Sequence, residues 1–464
     1  MSNGMLPDYV SMAKPNPMEN RAPWYKNTAP TYAGIFLWFV FWNKMASGGT
    51  DAPGGVLGRG LGAALLGLIV AALLCHFLFY LVPGLFGMKT GLPLYVVGTS
   101  TYGAQGGFLM PGFLMGVLQF GWLGVNAYFS SLALAPLFGG SSAAQIIIAI
   151  VWAAVAAFVG LKGIQYVAKV ATFLPLIPLV ILVAMIAKTI GGIGDFEAEK
   201  LVAAGTAPGS SAVGLTFFGV IALCITYIVG FFATAGAAGV DFGMNNKDEK
   251  NVRMGGLVGI TLATIVAGGG AILIAAGAFG KGLGAGLDTA DINFMGTVMG
   301  SEGAGKTFGL LLAIAAFPPA CFSSFIAANS FKTTLPKVNP FVSVGVGTAV
   351  SILLAVTGWA GDVMGVFTII GASFGPVCGA MMVDYLMAGK KWAGPRAGWN
   401  LAGWISWVVG FIVGMLPLVS SVKIPAAPLA AFIVGGVLYY VLAKAGLESK
   451  VIEMAATPAE TPST

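Results

Sequence analysis

The stretches FWNKMASGGTDAPGG (residues 41–55) and GFFATAGAAGVDF (residues 230–242) decide how this chain is read. Each lies in a long apolar run, yet each carries polar groups or glycines at bilayer depth. Asn43, Lys44 and Ser47 fall in the first, followed by Gly48-Gly49, and Gly236 and Gly239 fall in the second. Helix propensity is low at such places, and glycines free backbone groups that can line a cavity. Phe41 to Asp51 and Phe231 to Asp241 have the same separation, ten residues, each led by an aromatic pair (Phe41-Trp42, Phe231-Phe232). Two weakened segments at matching places, five spans apart, predict inverted repeats whose interrupted helices 1 and 6 meet at the midplane. An odd number of spans per repeat starts the second copy on the opposite side of the membrane. Rocking of one half against the other then gives alternating access.

Working outward, the 464 residues are 57% hydrophobic and 9% charged, with mean hydropathy +0.90, which excludes a soluble domain. A span needs about 20 apolar residues. Twelve candidates follow: 31–57, 58–86, 106–136, 141–161, 165–192, 212–240, 255–281, 306–332, 339–360, 363–388, 397–419 and 425–446. The expected architecture is an all-α integral membrane protein with one transmembrane domain over 31–446. Repeat one covers about 31–192, repeat two about 212–388, and two extra helices about 397–446. A cytoplasmic tail precedes it (1–30), and a disordered cytoplasmic tail follows it (447–464). The N-terminal tail has no apolar core and is not a cleavable signal peptide.

With both termini in the cytoplasm, 16 of the 23 Lys and Arg residues fall on that side and 6 on the other, with Lys44 left inside span 1. That asymmetry sets the orientation in the cytoplasmic membrane. The net charge of +6 reflects these loops beside anionic lipid and implies no nucleic-acid partner. Cys75, Cys224, Cys321 and Cys378 all lie in apolar spans and are expected to be free thiols. One histidine, His76, with scattered cysteines predicts no metal centre beyond a sodium ion. No cofactor and no enzymatic activity are expected, because the chain has no nucleotide-binding, zinc-hydrolase, nucleophile-elbow or kinase motif.

Polar residues in the spans are the candidate site, since each is costly in lipid unless it is used. Gln119, Trp122 and Asn126 share one face of span 3. An indole beside two amides suits a flat heterocycle with amide edges, and it also suits helix–helix bridging. Phe231 and Phe232 offer a second aromatic wall, with Thr234 on the same turn. In span 8, Ala320, Ser323 and Ser324 precede Asn329. Hydroxyl oxygens suit a hard cation, completed by backbone carbonyls of span 1. The same serines also suit bonds to their own helix backbone. Lys44 is a charged residue at depth and therefore a coupling candidate. Asp241 and Asp384 at cytoplasmic helix ends read as gating or loop-anchoring carboxylates.

Several strings in order resemble the nucleobase:cation symporter-1 family, of the purine and cytosine permease kind. They are PWYKNTAPTYAGIF (23–36), GMKTGLPL (87–94), QFGWLGVNAYF (119–129), VDF (240–242), SSFIAANSF (323–331) and GPVCGAMMVDYLM (375–387). The resemblance runs from about residue 22 to 445. It implies a leucine-transporter-type five-plus-five inverted-repeat fold with two extra spans. It also implies uptake of a nucleobase or related ring, coupled to sodium or protons. Trp122 falls on the family's base-stacking tryptophan, Phe232 on its second aromatic, and Asn126 and Asn329 on substrate amides. Ala320, Ser323 and Ser324 fall on cation ligands, with carbonyls near Leu37 and Phe41.

Three residues depart from the family pattern. Lys44 would repel a sodium ion if close and unpaired. Phe325 stands where hydantoin-carrying members have an amide, and Phe231 where cytosine-carrying members have a serine. An amino-acid or organic-acid transporter of the same fold, a channel and a non-transporting sensor stay open as alternatives. The chain is compatible with a monomer.

Overall fold

The structure, a computed structural model, describes residues 6–47, 52–163, 165, 167, 171, 173–207, 213–284 and 286–454. Among the described residues, ten helices are long and apolar enough to cross a membrane. They are α2 (Gly55–Thr90), α3 (Phe108–Phe138), α4 (Ser142–Lys162), α5 (Leu176–Asp195), α6 (Phe217–Ala237), α7 (Glu249–Gly280), α8 (Glu302–Thr334), α10 (Val363–Met387), α11 (Leu401–Val419) and α12 (Ala427–Leu447). A shorter apolar helix, α9 (Pro340–Val356), and a split helix, α1a (Thr28–Phe36) with α1b (Phe39–Met45), complete the twelve expected from hydropathy. The chain is a multi-pass membrane protein.

The interruption of α1 is at Leu37–Trp38, earlier than the glycine-rich stretch suggested. Trp38 leaves the helical region with φ −62° and ψ 125°. No glycine is needed, because the chain supplies its own partner for the freed backbone: the Trp42 indole Nε1 donates to the Leu37 carbonyl at 3.2 Å. The expected break at Gly48-Gly49, and the matching Asp51, lie outside the described residues. Helix α6 is interrupted at Ala238 (φ −62°, ψ −7°) and resumes over Gly239–Gly243. Phe41 therefore follows one break by three residues while Phe231 precedes the other by seven, so the two strings are not equivalent in register. The glycines here serve close approach instead. A Cβ on Gly236 would sit 2.8 Å from the Phe79 side chain, and one on Gly239 2.9 Å from the Tyr80 ring.

Among the described residues there are two main hydrophobic cores, with a small third one of Ala380, Ala402 and Tyr439 between α10, α11 and α12. The larger is lined with rings from α1, α2, α6 and α10, among them Phe36, Phe41, Trp42, Phe79, Tyr80, Tyr227, Phe231, Phe232 and Phe367. The smaller lies between α3, α4, α8 and α9 and is rich in alanine: Ala127, Ala149, Ala153, Ala156, Ala157, Ala320 and Ala327. Helix α3 is the shared wall. Met115, Val125 and Phe129 face the first core, with Trp122 packed against it, while Phe120, Leu123 and Ala127 face the second.

The tails belong to this frame. Asn16 Nδ2 donates to the Met244 carbonyl at 3.0 Å, and Arg21 Nη1 to the Met88 carbonyl at 2.6 Å. Past α12, the chain keeps contact with the frame as far as Ile452, while residues 455–464 of the expected tail lie outside the described residues. Arg396, 5% exposed, pairs with Glu448 and with Asp384 (3.3 Å), and the Ile452 amide donates to the Pro395 carbonyl at 2.8 Å. Burying a guanidinium is tolerated only with such partners, so Glu448–Ile452 is fixed. Asp384 is thereby an anchor, also accepting from Ser100 Oγ at 2.6 Å.

Candidate functional site

Trp122 stands where α3 meets the aromatic core. Its ring centroid is 5.3 Å from Phe231, edge to face, 5.6 Å from Phe367 and 5.8 Å from Trp38. Its Nε1 donates to Thr234 Oγ1 at 3.2 Å. Phe41 closes the cluster from α1b, 5.0 Å from Phe231. Trp122, Phe231, Thr234 and Phe41 are thus brought together. Every one of these partners of Trp122 is uncharged, three rings and a hydroxyl. Gln119, on the same face of α3, is buried and spends its amide on one weak bond, to Met115 Sδ at 3.6 Å.

Phe232 is not the ring opposite Trp122. It turns the other way, stacked on Phe36 at 5.5 Å and 18°, and touching Tyr32. Adjacent residues on a helix point about 100° apart, so Phe231 and Phe232 cannot both face α3. Asn126 is not open to a ligand either. Its Nδ2 donates to the Ala316 carbonyl at 2.9 Å, and its Oδ1 accepts from Trp152 Nε1 at 2.8 Å and Ser130 Oγ at 3.3 Å. It ties α3, α4 and α8 together. Asn329 is exposed on α8 and forms no side-chain hydrogen bond.

The expected cation ligands each have a contact within the protein. The Leu37 carbonyl takes the Trp42 indole, and the Phe41 carbonyl takes the Tyr227 hydroxyl at 2.9 Å. Ala320 belongs to the alanine core, and the Ser324 side chain lies against Gly160 of α4. Ser323 Oγ donates to its own helix, to the Pro319 carbonyl at 3.2 Å. The described residues hold no cluster of three or more His, Cys, Asp or Glu for another metal. The four cysteines are buried free thiols.

Lys44, the coupling candidate, is one half of an ion pair. Its Nζ meets Asp288 in the segment joining α7 to a short helix, Ile292–Met299, with side chains 23% and 38% exposed. Beside the pair, Thr289 Oγ1 donates to the Trp42 carbonyl at 2.9 Å and its amide to the Asn43 carbonyl at 3.3 Å. Three contacts thus fasten that segment to α1b. At the other end, Asp241 Oδ1 accepts from the Leu94 amide at 2.9 Å, joining the end of α6 to the turn before α3. Sequence reasoning missed Trp38, Phe367 and Tyr227 in this cluster. In a chain with 31 Phe and 10 Trp, nothing local marks them; the one available signal was the run of rings from Phe36 to Trp42.

No protein-family profile matches the sequence, and no curated protein matches it. Solved structures do. Mhp1 in an inward-facing conformation is similar with a TM-score of 0.69 and 17% identity, covering 97% of both chains. Mhp1, described as a nucleobase-cation-symport-1 family transporter, in a closed conformation with bromovinylhydantoin bound gives 0.64 at 17% identity, covering 94% of this chain and 96% of that one. A Na+-coupled sialic acid symporter gives 0.55 at 13%, covering 96% and 93%. The likeness spans nearly the whole of each chain and is one of fold: this protein has the leucine-transporter-type membrane fold seen in the nucleobase-cation-symport-1 structures.

Proposed function

We propose that this chain is a secondary transporter of the nucleobase:cation symporter-1 kind. It imports an uncharged planar ring of the nucleobase class across the cytoplasmic membrane, with both termini inside. The observation that carries this reading is Trp122, an indole at the seam between two separately packed helix groups, met by Phe231 and Phe367 with Gln119 beside it. A ring held between two others needs about 7 Å between the outer centroids, twice the carbon–carbon contact distance. The present spacing of 5.3 Å is too short, so binding must separate Trp122 from Phe231. The ligand therefore favours an arrangement in which α3 and α6 have moved apart, and differential affinity of this kind is what drives alternating access. The cation gradient, sodium or proton, is part of this reading by likeness to the symporters; the steps derived from these residues use no bound ion.

The amino-acid and organic-acid alternative is weaker. An acid would need the free amide end of α1b or a cationic partner, and the nearby cation Lys44 is already paired with Asp288. The test is uptake of radiolabelled cytosine by proteoliposomes, with purines, uracil, allantoin and hydantoin as competitors and sodium or proton gradients imposed separately. Competition by one ring class is expected, with affinity falling about 10- to 100-fold in Trp122→Ala, the worth of one base–aromatic stack. Accumulation against a gradient excludes a channel. Binding without flux would replace the transporter with a sensor, and indifference to every ring would end the nucleobase reading.

A further inference from the structure

We infer that Trp38, at the break in helix α1, is a specificity-determining residue whose indole N–H donates a hydrogen bond to a carbonyl on the transported ring. The inference rests on the ring-transport reading and deepens it. Trp38 is 8% exposed, and its Nε1 is buried with no hydrogen-bond partner. An indole N–H can only donate, and leaving a buried donor unpaired is unfavourable enough that native structures rarely do so without cause.

Its position supplies the cause. The Trp38 ring lies 5.8 Å from Trp122 at 66° and 6.3 Å from Phe231 at 31°, so the unpaired donor belongs to the ring cluster. The contrast with Trp42, four residues on, is direct: Trp42 uses its N–H to cap the Leu37 carbonyl. Trp122 uses its own on Thr234. Trp38 alone of these three keeps its N–H free. Among the described residues, the other buried polar atoms without partners, such as Ser324 Oγ, His76 Nδ1 and Asn43 Oδ1, belong to residues that make no ring contact with Trp122.

The backbone explains why this indole is available. Trp38 sits outside both helical segments, with ψ 125°, so its side chain is set by the break rather than by either helix. A ring that separates Trp122 from Phe231 enters beside Trp38 and can offer the missing acceptor. A carbonyl fits this role. A bare hydrocarbon ring would leave the donor unpaired and bind more weakly, which is how a polar site rejects a ligand lacking its partner.

The test compares uptake of radiolabelled cytosine, uracil and hypoxanthine by the wild-type chain and by Trp38→Phe. The competitors are 2-thiocytosine, 2-thiouracil and 6-mercaptopurine, whose thiocarbonyl is the poorer acceptor. Wild type should prefer the oxo ring to its thio partner about tenfold, and Trp38→Phe should raise KM about tenfold while losing that preference. An unchanged KM and an unchanged preference in Trp38→Phe would overturn the assignment. The wild-type comparison uses the unaltered chain, so equal affinity for oxo and thio rings there overturns it even if the variant fails to fold. If wild type takes up none of the three rings, the ring-transport reading itself falls, and the role of Trp38 falls with it.

Discussion

The two larger hydrophobic cores of this protein are built from opposite materials. Around α1, α2 and α6 the core is aromatic, with Phe36, Phe41, Trp42, Phe231 and Phe232 each almost wholly buried. Between α3, α4, α8 and α9 it is mostly alanine, and Gly160 of α4 lies directly against the Cys321 carbonyl of α8. Small residues let helix backbones approach closely in a membrane, which makes a slab that resists shear. Rings meeting edge to face at 5–6 Å can be separated and re-paired with less backbone movement. On the proposed transport reading, the difference assigns parts: a stiff wall carrying Trp122, and a group of rings that moves against it.

The largest expected effect breaks the stiff wall. A side chain at Gly160 would fall inside van der Waals contact of the Cys321 carbonyl, which cannot retreat without bending α8. Gly160→Leu should cost about 3 kcal/mol or more, seen as loss of the folded peak in detergent size-exclusion and a lower Tm. A normal Tm would show that the slab is compliant. Next comes Asn126, which holds α3, α4 and α8 together through Ala316 and Trp152. Asn126→Leu strands the Trp152 N–H and should cost about 1–2 kcal/mol of stability. Ring affinity in the folded fraction should stay within about twofold, since a lost direct hydrogen bond would cost about tenfold. A large loss of affinity at unchanged Tm would return Asn126 to the substrate and blur the comparison.

The smallest effect on stability is at the Lys44–Asp288 pair. Both groups are partly exposed, so breaking the pair should change stability by less than about 1 kcal/mol. Its effect should be on access instead. Lys44→Met should increase thiol labelling of a cysteine placed at Thr289, and the swap Lys44→Asp with Asp288→Lys should restore protection. Equal labelling in all three would show that the pair fastens nothing.

The amphipathic economy of the chain made the fold legible. Twelve apolar stretches, the Lys and Arg asymmetry and paired weak segments pointed to the inverted-repeat architecture, because length and burial in lipid leave few alternatives. Trp122 was legible as well, since an indole beside amides on one helix face is rare in so apolar a chain. Other assignments were not. The glycines of GFFATAGAAGVDF read as a break, and α6 is interrupted between them at Ala238, but their contacts with Phe79 and Tyr80 of α2 were not legible. Phe231 and Phe232 read alike until helix rotation gave one to Trp122 and the other to Phe36. Asn126 read as a ligand group until its partners on α4 and α8 were seen, and Lys44 read as a coupling candidate with no partner named until Asp288, 244 residues away, was placed beside it.

What the sequence determined by itself was which segments cross the membrane, because hydrophobicity over a span is a local sum. What the tertiary structure alone decided was which polar group is free. A hydrogen bond is a relation between two positions, and in this chain the decisive partners lie far apart in sequence. Trp38 keeps an unused N–H because no such partner reaches it.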